Sequence, residues 1–419
     1  MHNIYFYLII TFYVYDFVSD QWLSYLDRTM WSPVMPAELE GIYDREEYAR
    51  QQNYNKENDR LGLITSGLYF VVITAALLCG AAGWLDAFLR RYTNHFILLP
   101  LSFGLVLMTL SWMADIPFDC YDTFVIEKKY GFNRTTPGTF VLDRLKSFAL
   151  ALILGVPLLS VILSVYHYAQ NWFWLLAWIV LSAFSLILAF FYSEWIVPIF
   201  NRQTPLEEGE LRSAIEAFAE KASFPIQNIY IIDGSRRSTK SNAYFTGFGK
   251  KKRIVLYDTL IDDLTVEEIV AVLAHEIGHN RMKHVLREIP ISLAESGFML
   301  WLFSLFMNNQ PLVSALGGSA MPSFHLSSVG FSLLIIPLKD VLSLLSNCRS
   351  RKHEYEADNF TVQYGLGEAL ISALKKICSK SLENLTPHPV VVFVCDSHPT
   401  LLQRIHNIEK QKDSRANSH

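Results

Sequence analysis

The sequence predicts a mainly α-helical membrane protein with about seven transmembrane helices and a polar α+β domain inserted between the fifth and sixth. Three observations carry this. Of 419 residues, 51% are apolar and only 18% charged, below the quarter usual in soluble domains, and the mean hydropathy is +0.22. Charge is nearly absent from several long stretches and dense between them. Residues 196–286 switch to the mixed helix and strand periodicities of a soluble fold.

A helix needs about 20 mostly apolar residues to cross a bilayer. The stretches 3–25, 62–86, 96–116, 147–167, 171–195, 287–309 and 325–347 meet that requirement. The first carries Asp16 and Asp20, and the sixth carries Glu288 and Glu295. Acids within a span face protein or water rather than lipid. The first run lacks a basic flank before it and a small-x-small cleavage site after it, so it is expected to be a retained span.

Orientation follows from loop charge. Residues 26–61 carry Arg28, Arg45, Arg50, Lys56 and Arg60, and residues 117–146 carry Lys128, Lys129, Arg134, Arg144 and Lys146. The segments 167–170 and 310–324 hold no Lys or Arg. Alternating spans put both basic loops, 196–286 and the tail on the cytosolic side; Arg90 and Arg91 fall against the rule. The expected division is 1–195 (five spans), 196–286 (the polar α+β insertion), 287–347 (two spans) and 348–419 (a polar, helical cytosolic segment). With alternation, Asn133-Arg-Thr and Asn384-Leu-Thr are cytosolic and unmodified.

Within the insertion, acidic residues early in 206–223 and Ile215, Phe218 and Ala219 at helical spacing predict an amphipathic helix. Residues 228–233, 242–246 and 253–258 read as strands, the last two joined by a turn at Gly247–Lys252. The run Lys250–Arg253 reads as part of that solvated turn. No basic stripe with interleaved aromatics appears, so no nucleic-acid partner is expected. The five cysteines are odd in number and form no CxxC pair, which argues against a disulfide framework or a cysteine-rich zinc site.

Thr265 followed by Glu268 is a capping box that opens a helix. That helix carries His275-Glu276-Ile277-Gly278-His279. Histidines four apart sit one turn apart on one face, where two imidazoles can hold one zinc ion and Glu276 can take a proton from water beside it. His284, nine residues from His275, points away on an unbroken helix and reads as structural. A catalytic zinc takes a third protein ligand. Residues 349–358, just beyond the last span, offer Glu354, Glu356 and His353, and Asp358 lies one turn from Glu354. By spacing each of the three is a contender, while Asp358 can bond a ligand histidine and set its tautomer. Asn242, Ala243 and Tyr244 lie on a strand that can pair with an extended peptide. His398 and Arg404, in the tail, are candidates to stabilise an oxyanion.

These residues resemble a known family. The chain looks like the Ste24-type CAAX prenyl proteases, integral-membrane zinc metalloproteases of the M48 class. The resemblance rests on Phe124-Val-Ile-Glu-Lys-Lys-Tyr-Gly-Phe-Asn133, Pro198-Ile-Phe-Asn201 with Pro205-Leu206, Asp233-Gly-Ser-Arg-Arg-Ser238, Ser241-Asn-Ala-Tyr244, the HEIGH motif, Glu354-Tyr-Glu-Ala-Asp358, and Ser397-His-Pro399 with Arg404. It implies seven helices enclosing a water-filled chamber, with a gluzincin-like zinc-protease site at its cytosolic end. It also implies Glu354 as third ligand to one Zn2+, Asn242 and its strand against substrate backbone, and His398 and Arg404 facing the site. The implied reaction is removal of the last three residues of a prenylated Cys-a-a-X protein; the alternative is a general membrane quality-control protease acting on unprenylated chains. The implied partners are a peptide or protein substrate and membrane lipid. The implied location is the endoplasmic reticulum membrane in a eukaryote or the inner membrane in a bacterium. Lys240, where many eukaryotic members have His, and Asn280, where an aromatic is common, depart from the family pattern.

Overall fold

The computed structural model describes residues 2–224, 226, 228–246, 253–319 and 323–417, with backbone alone for Phe245 and Thr246. The first half is helical: α1 Ile4–Thr29, α2 Arg45–Leu78, α3 Ala81–Leu89, α4 Leu98–Tyr121, α5 Pro137–Ala169, α6 Phe173–Phe191 and α7 Val197–Phe200. Gly80, at a φ of 65°, ends α2 and redirects the chain into α3, so the stretch expected at 62–86 is bent rather than straight. π-helical turns at Asp122–Glu127 and Tyr192–Ile196 prolong α4 and α6. Helical runs long and apolar enough to cross a membrane lie in Arg45–Leu78, Leu98–Glu127 and Pro137–Phe200, the last containing both α5 and α6. Exposed Val71, Leu110, Ile153 and Ile187 on these helices form an apolar outer surface.

A four-stranded sheet follows. β1 Gln203–Pro205, β2 Asn228–Ile232, β3 Ala243–Thr246 and β4 Arg253–Tyr257 are ordered β1-β2-β4-β3. β2 and β4 run parallel, and the outer pairs are antiparallel. β1 was not expected. The turn expected at Gly247–Lys252 lies outside the described residues. The amphipathic helix is α8, Glu210–Lys221, which buries Ile215, Phe218 and Ala219. After α9, Asp258–Asp263, comes α10, Val266–Arg281. Its capping box is formed: Thr265 N–H donates to Glu268 at 2.8 Å, and Glu268 N–H to Thr265 Oγ1 at 3.3 Å. Ile254, Leu256, Leu260, Ile269, Leu273 and Ile277 fuse the sheet, α9 and α10 into one core.

The remaining helices are α11 His284–Ser304, α12 Gln310–Ala315, α13 Phe324–Leu334, α14 Ile336–Gln363, α15 Gly367–Lys380, α16 Pro389–Cys395 and α17 Leu401–Ala416. The stretch expected at 325–347 is not one straight span: α13 and α14 meet at a 59° bend. Pro337, at the start of α14, cannot donate the hydrogen bond that a continuous helix needs there. The expected boundaries at 286/287 and 347/348 fall inside α11 and α14, which run through them. Glu288 and Glu295 on α11 face Arg349 on α14 at 3.4 and 3.5 Å.

The two ends of the helical body differ in what they gather. At one end Asn3 donates to the Pro311 carbonyl at 2.7 Å, and Tyr166 to Asn308 at 3.0 Å. At the other, Asp27 accepts from Asn384 and from the His388 N–H, at 3.1 and 3.0 Å. There the second basic loop joins the insertion, with Arg134 N–H donating to the Arg237 carbonyl and Thr239 N–H to that of Phe132. Both basic loops, the sheet and the tail therefore share one end. None of the five cysteines is disulfide-bonded.

Candidate metal centre

The capping box sets where α10 starts, and its period puts His275 and His279 on one face with Nε2 atoms 3.1 Å apart. α14 packs alongside and brings Glu354, whose Oε2 is 3.4 Å from His275 Nε2 and Oε1 3.3 Å from His279 Nε2. Zinc holding N and O ligands tetrahedrally at about 2.0–2.1 Å separates ligand atoms by about 3.3–3.4 Å. The three donors are already spaced for such an ion, and their chemistry fits it. His275 and Glu354 are buried, and among the described residues this is the group of three donors suited to a metal ion.

A second layer fixes these ligands. Asp358 Oδ1 lies 2.9 Å from His275 Nδ1 and is fully buried, leaving Nε2 as the metal-facing atom. Arg404 on α17 grips Asp358 with two bonds, Nε to Oδ2 at 3.0 Å and Nη2 to Oδ1 at 2.6 Å, and its Nη1 is 3.5 Å from Glu354. The expected oxyanion role of Arg404 does not follow from this geometry. Its guanidinium faces the site, but its donors are engaged by buried carboxylates.

Charge balance follows from these contacts. Burial would raise the Glu354 carboxyl, but bonds to His275 and His279 and the charge of Arg404 hold it far below the usual carboxylate range. Burial pushes the His275 imidazole down, but the Asp358 and Glu354 carboxylates lift it to about 9. Asp358 is likewise lowered, against its burial, by His275 and Arg404.

A cavity of about 400 Å³ opens over the three donors and is lined by Glu276, Asn242, Ala243, His398 and Arg404 among others. Glu276 is half-buried and follows directly on His275. His398 is 64% exposed at its side chain and sits 3.4 Å from Glu354. Asn242 and Ala243 lie where the start of β3, one of the two edge strands of the sheet, meets this cavity. Tyr244 does not line it. Strand alternation turns it away into a neighbouring cavity with Asn242, Tyr192 and Tyr257.

His284 does not point away as the spacing argument expects. α10 stops at Arg281, Lys283 adopts a left-handed φ of 58°, and α11 starts at His284. The 100° step per residue does not carry across that break, and His284 Nδ1 lies 3.0 Å from His279 Nδ1. Sequence reasoning also missed Gly278, where an added Cβ would lie 3.1 Å from Phe360 Cβ and 3.2 Å from Ala357 Cα. The signal was present: the motif's only glycine sits between the two histidines, where a side chain would separate α10 from α14. The other two contenders for third ligand lie behind the centre. Glu356 contacts His284 at 3.0 Å, and His353 stacks on it.

Lys240, a departure from the family pattern, has a local partner set. Its Nζ lies 3.0 Å from the Tyr54 hydroxyl, 3.1 Å from Glu127, and 4.6 Å from the Phe132 ring centre. It ties the segment before β3 to the second basic loop.

Comparison with known proteins agrees with this architecture. Residues 7–202 match the family described as CAAX prenyl protease N-terminal, five membrane helices, and residues 205–412 match peptidase family M48. The chain is 33% identical over 385 residues to the CAAX prenyl protease 1 homolog of Arabidopsis thaliana, covering 90% of this chain and 91% of that protein. It is 31% identical over 424 residues to the Homo sapiens homolog (90% and 89%) and 30% identical over 433 residues to the Saccharomyces cerevisiae CAAX prenyl protease 1 (97% and 95%). The crystal structure of S. mikatae Ste24p superposes with a TM-score of 0.89 at 29% identity, covering 97% of this chain and 99% of that one. The chain is thus a multi-pass membrane metalloprotease and belongs to peptidase family M48, with the membrane-helix N-terminal region of the CAAX prenyl proteases.

Proposed function

We propose that this chain is a zinc endopeptidase that removes the last three residues of prenylated Cys-a-a-X proteins, as the names of its relatives suggest. The observation that carries the reading is the spacing of His275, His279 and Glu354, with Glu276 beside them and an edge strand opening on the same cavity. One zinc per chain, when bound, supplies Lewis acidity toward a carbonyl oxygen and toward water.

The protein's own residues do the rest. An extended substrate pairs with the outer edge of β3 near Asn242 and Ala243, which aligns its scissile carbonyl over the three donors. Glu276 takes the proton of the attacking water and returns it to the leaving amine. His398, exposed beside Glu354, donates to the oxyanion. Asp358 and Arg404 hold the ligands in place. The helices surround a water-filled chamber with the centre at its cytosolic end; the clustering of both basic loops at that end supports this orientation. The membrane is the endoplasmic reticulum in a eukaryotic host or the inner membrane in a bacterial one.

The test is cleavage of one CaaX peptide, with and without a farnesyl group, by wild type and Glu276→Gln in detergent. Lipid-dependent cleavage after the modified Cys by wild type alone is the expected result. Lipid-indifferent cleavage overturns the CAAX assignment in favour of a general membrane protease.

A further inference from the structure

We propose that His284 and Glu356 form a positioning relay behind the metal ligand His279, matching the one that Asp358 and Arg404 form behind His275. The proposal rests on the reading of His275, His279 and Glu354 as metal ligands.

The geometry is specific. His279 turns Nε2 toward His275 and Glu354, and its Nδ1 lies 3.0 Å from His284 Nδ1. His284 Nε2 in turn lies 3.0 Å from Glu356 Oε2. His284 is only 3% exposed and stacks on His353 with ring centres 4.0 Å apart and planes within 10°. Glu356 also lies 3.9 Å from both Arg287 and Lys352.

Hydrogen positions follow by elimination. A metal on His279 Nε2 leaves Nδ1 carrying a proton, so His284 Nδ1 must accept it. Neutral His284 then has its own proton on Nε2, where Glu356 accepts. The chain His279–His284–Glu356 therefore has one consistent direction, donor to acceptor at each step. Such outer partners orient a ligand ring and raise its basicity, and losing one costs about 10–100-fold in metal affinity.

Two substitutions separate this role from packing. Phe at 284 keeps an aromatic ring on His353 but cannot accept from His279. Gln has no ring but can accept through Oε1 and donate to Glu356 through Nε2. Full-length protein in detergent is titrated with zinc against chelators of graded strength, and the visible spectrum of its cobalt form is recorded. His284→Phe is expected to bind zinc about 10–100-fold more weakly with a changed cobalt spectrum, while His284→Gln stays within about threefold of wild type. Glu356→Ala, a partly exposed site that leaves the core intact, is expected to weaken binding by at least about threefold. Equal affinity of the Phe and Gln variants, or an unchanged Glu356→Ala, overturns the relay. A wild type that releases zinc as readily as Glu354→Gln overturns the metal centre itself.

Discussion

Gly278 on α10 lies against Ala357 on α14, so close that a side chain starting at Gly278 would lie 3.2 Å from the Ala357 Cα and 3.3 Å from its carbonyl oxygen. The contact sets the distance between the helix carrying both histidines and the helix carrying Glu354. Gly278→Ala forces a shift of a few tenths of an ångström; Gly278→Val forces more, at a cost of about 1–3 kcal/mol. The expected outcome is graded loss of zinc affinity, Val well below Ala, measured by chelator competition on folded protein. Wild-type affinity in Gly278→Val would show that this contact does not set the ligand geometry.

Glu276 makes no contact that holds the ligands, so Glu276→Gln is expected to keep full metal content while kcat falls about 10²–10⁴-fold. Metal analysis and peptide turnover on the same preparation check this. Robust turnover would remove Glu276 from the proton-transfer role.

Glu354→Ala removes one of the three donors, and zinc occupancy is expected to fall sharply. Chelation of the wild type should abolish cleavage, and added zinc should restore it. Full metal occupancy in Glu354→Ala, measured by elemental analysis, would require another third ligand.

Arg404 holds Asp358 through a planar two-bond grip, which Lys cannot reproduce. Arg404→Lys is therefore expected to behave almost like Arg404→Ala, both losing metal affinity together with kcat. Leaving the buried Asp358 without the guanidinium, with only His275 as partner, should also destabilise the protein by about 3–5 kcal/mol. Rescue by Lys to wild-type metal binding would contradict the two-bond account.

Glu268 couples α10 to α15 by accepting from Ser372 at 2.6 Å and Lys376 at 2.7 Å. Burial would raise its carboxyl, but bonds to Lys376, Ser372 and the Thr265 backbone hold it down at about 2. A depressed acid stabilises the fold fully above its unfolded value near 4.5, and that stability is lost as pH falls toward 2. Glu268→Gln is expected to cost about 1.5–3 kcal/mol at neutral pH. The gap to wild type should close between pH 4.5 and 2, as read from thermal unfolding across that range. A gap independent of pH would assign the loss to packing alone.

Much of the centre was legible in the sequence because its signals are local. A capping box and a four-residue histidine spacing depend only on helix geometry, so Thr265, Glu268, His275, Glu276 and His279 could be placed before any tertiary contact was known. Apolar runs of about 20 residues likewise mark spans by composition. Masked by the same logic were the breaks: Gly80 and Pro337 interrupt runs that hydropathy alone treats as continuous.

The sequence by itself therefore determined the membrane class, the helix bearing the two histidines and the set of acids from which the third ligand is drawn. Spacing could not choose among Glu354, Glu356 and His353, because all three lie on one helix whose rotation and approach are set elsewhere. Only the packing of α14 on α10, closed down at Gly278 and Ala357, turned Glu354 toward both imidazoles and left Glu356 and His353 beside His284. His284 shows the same limit: one left-handed residue at Lys283 resets the helical phase, and a histidine that periodicity places on the far face lies behind His279.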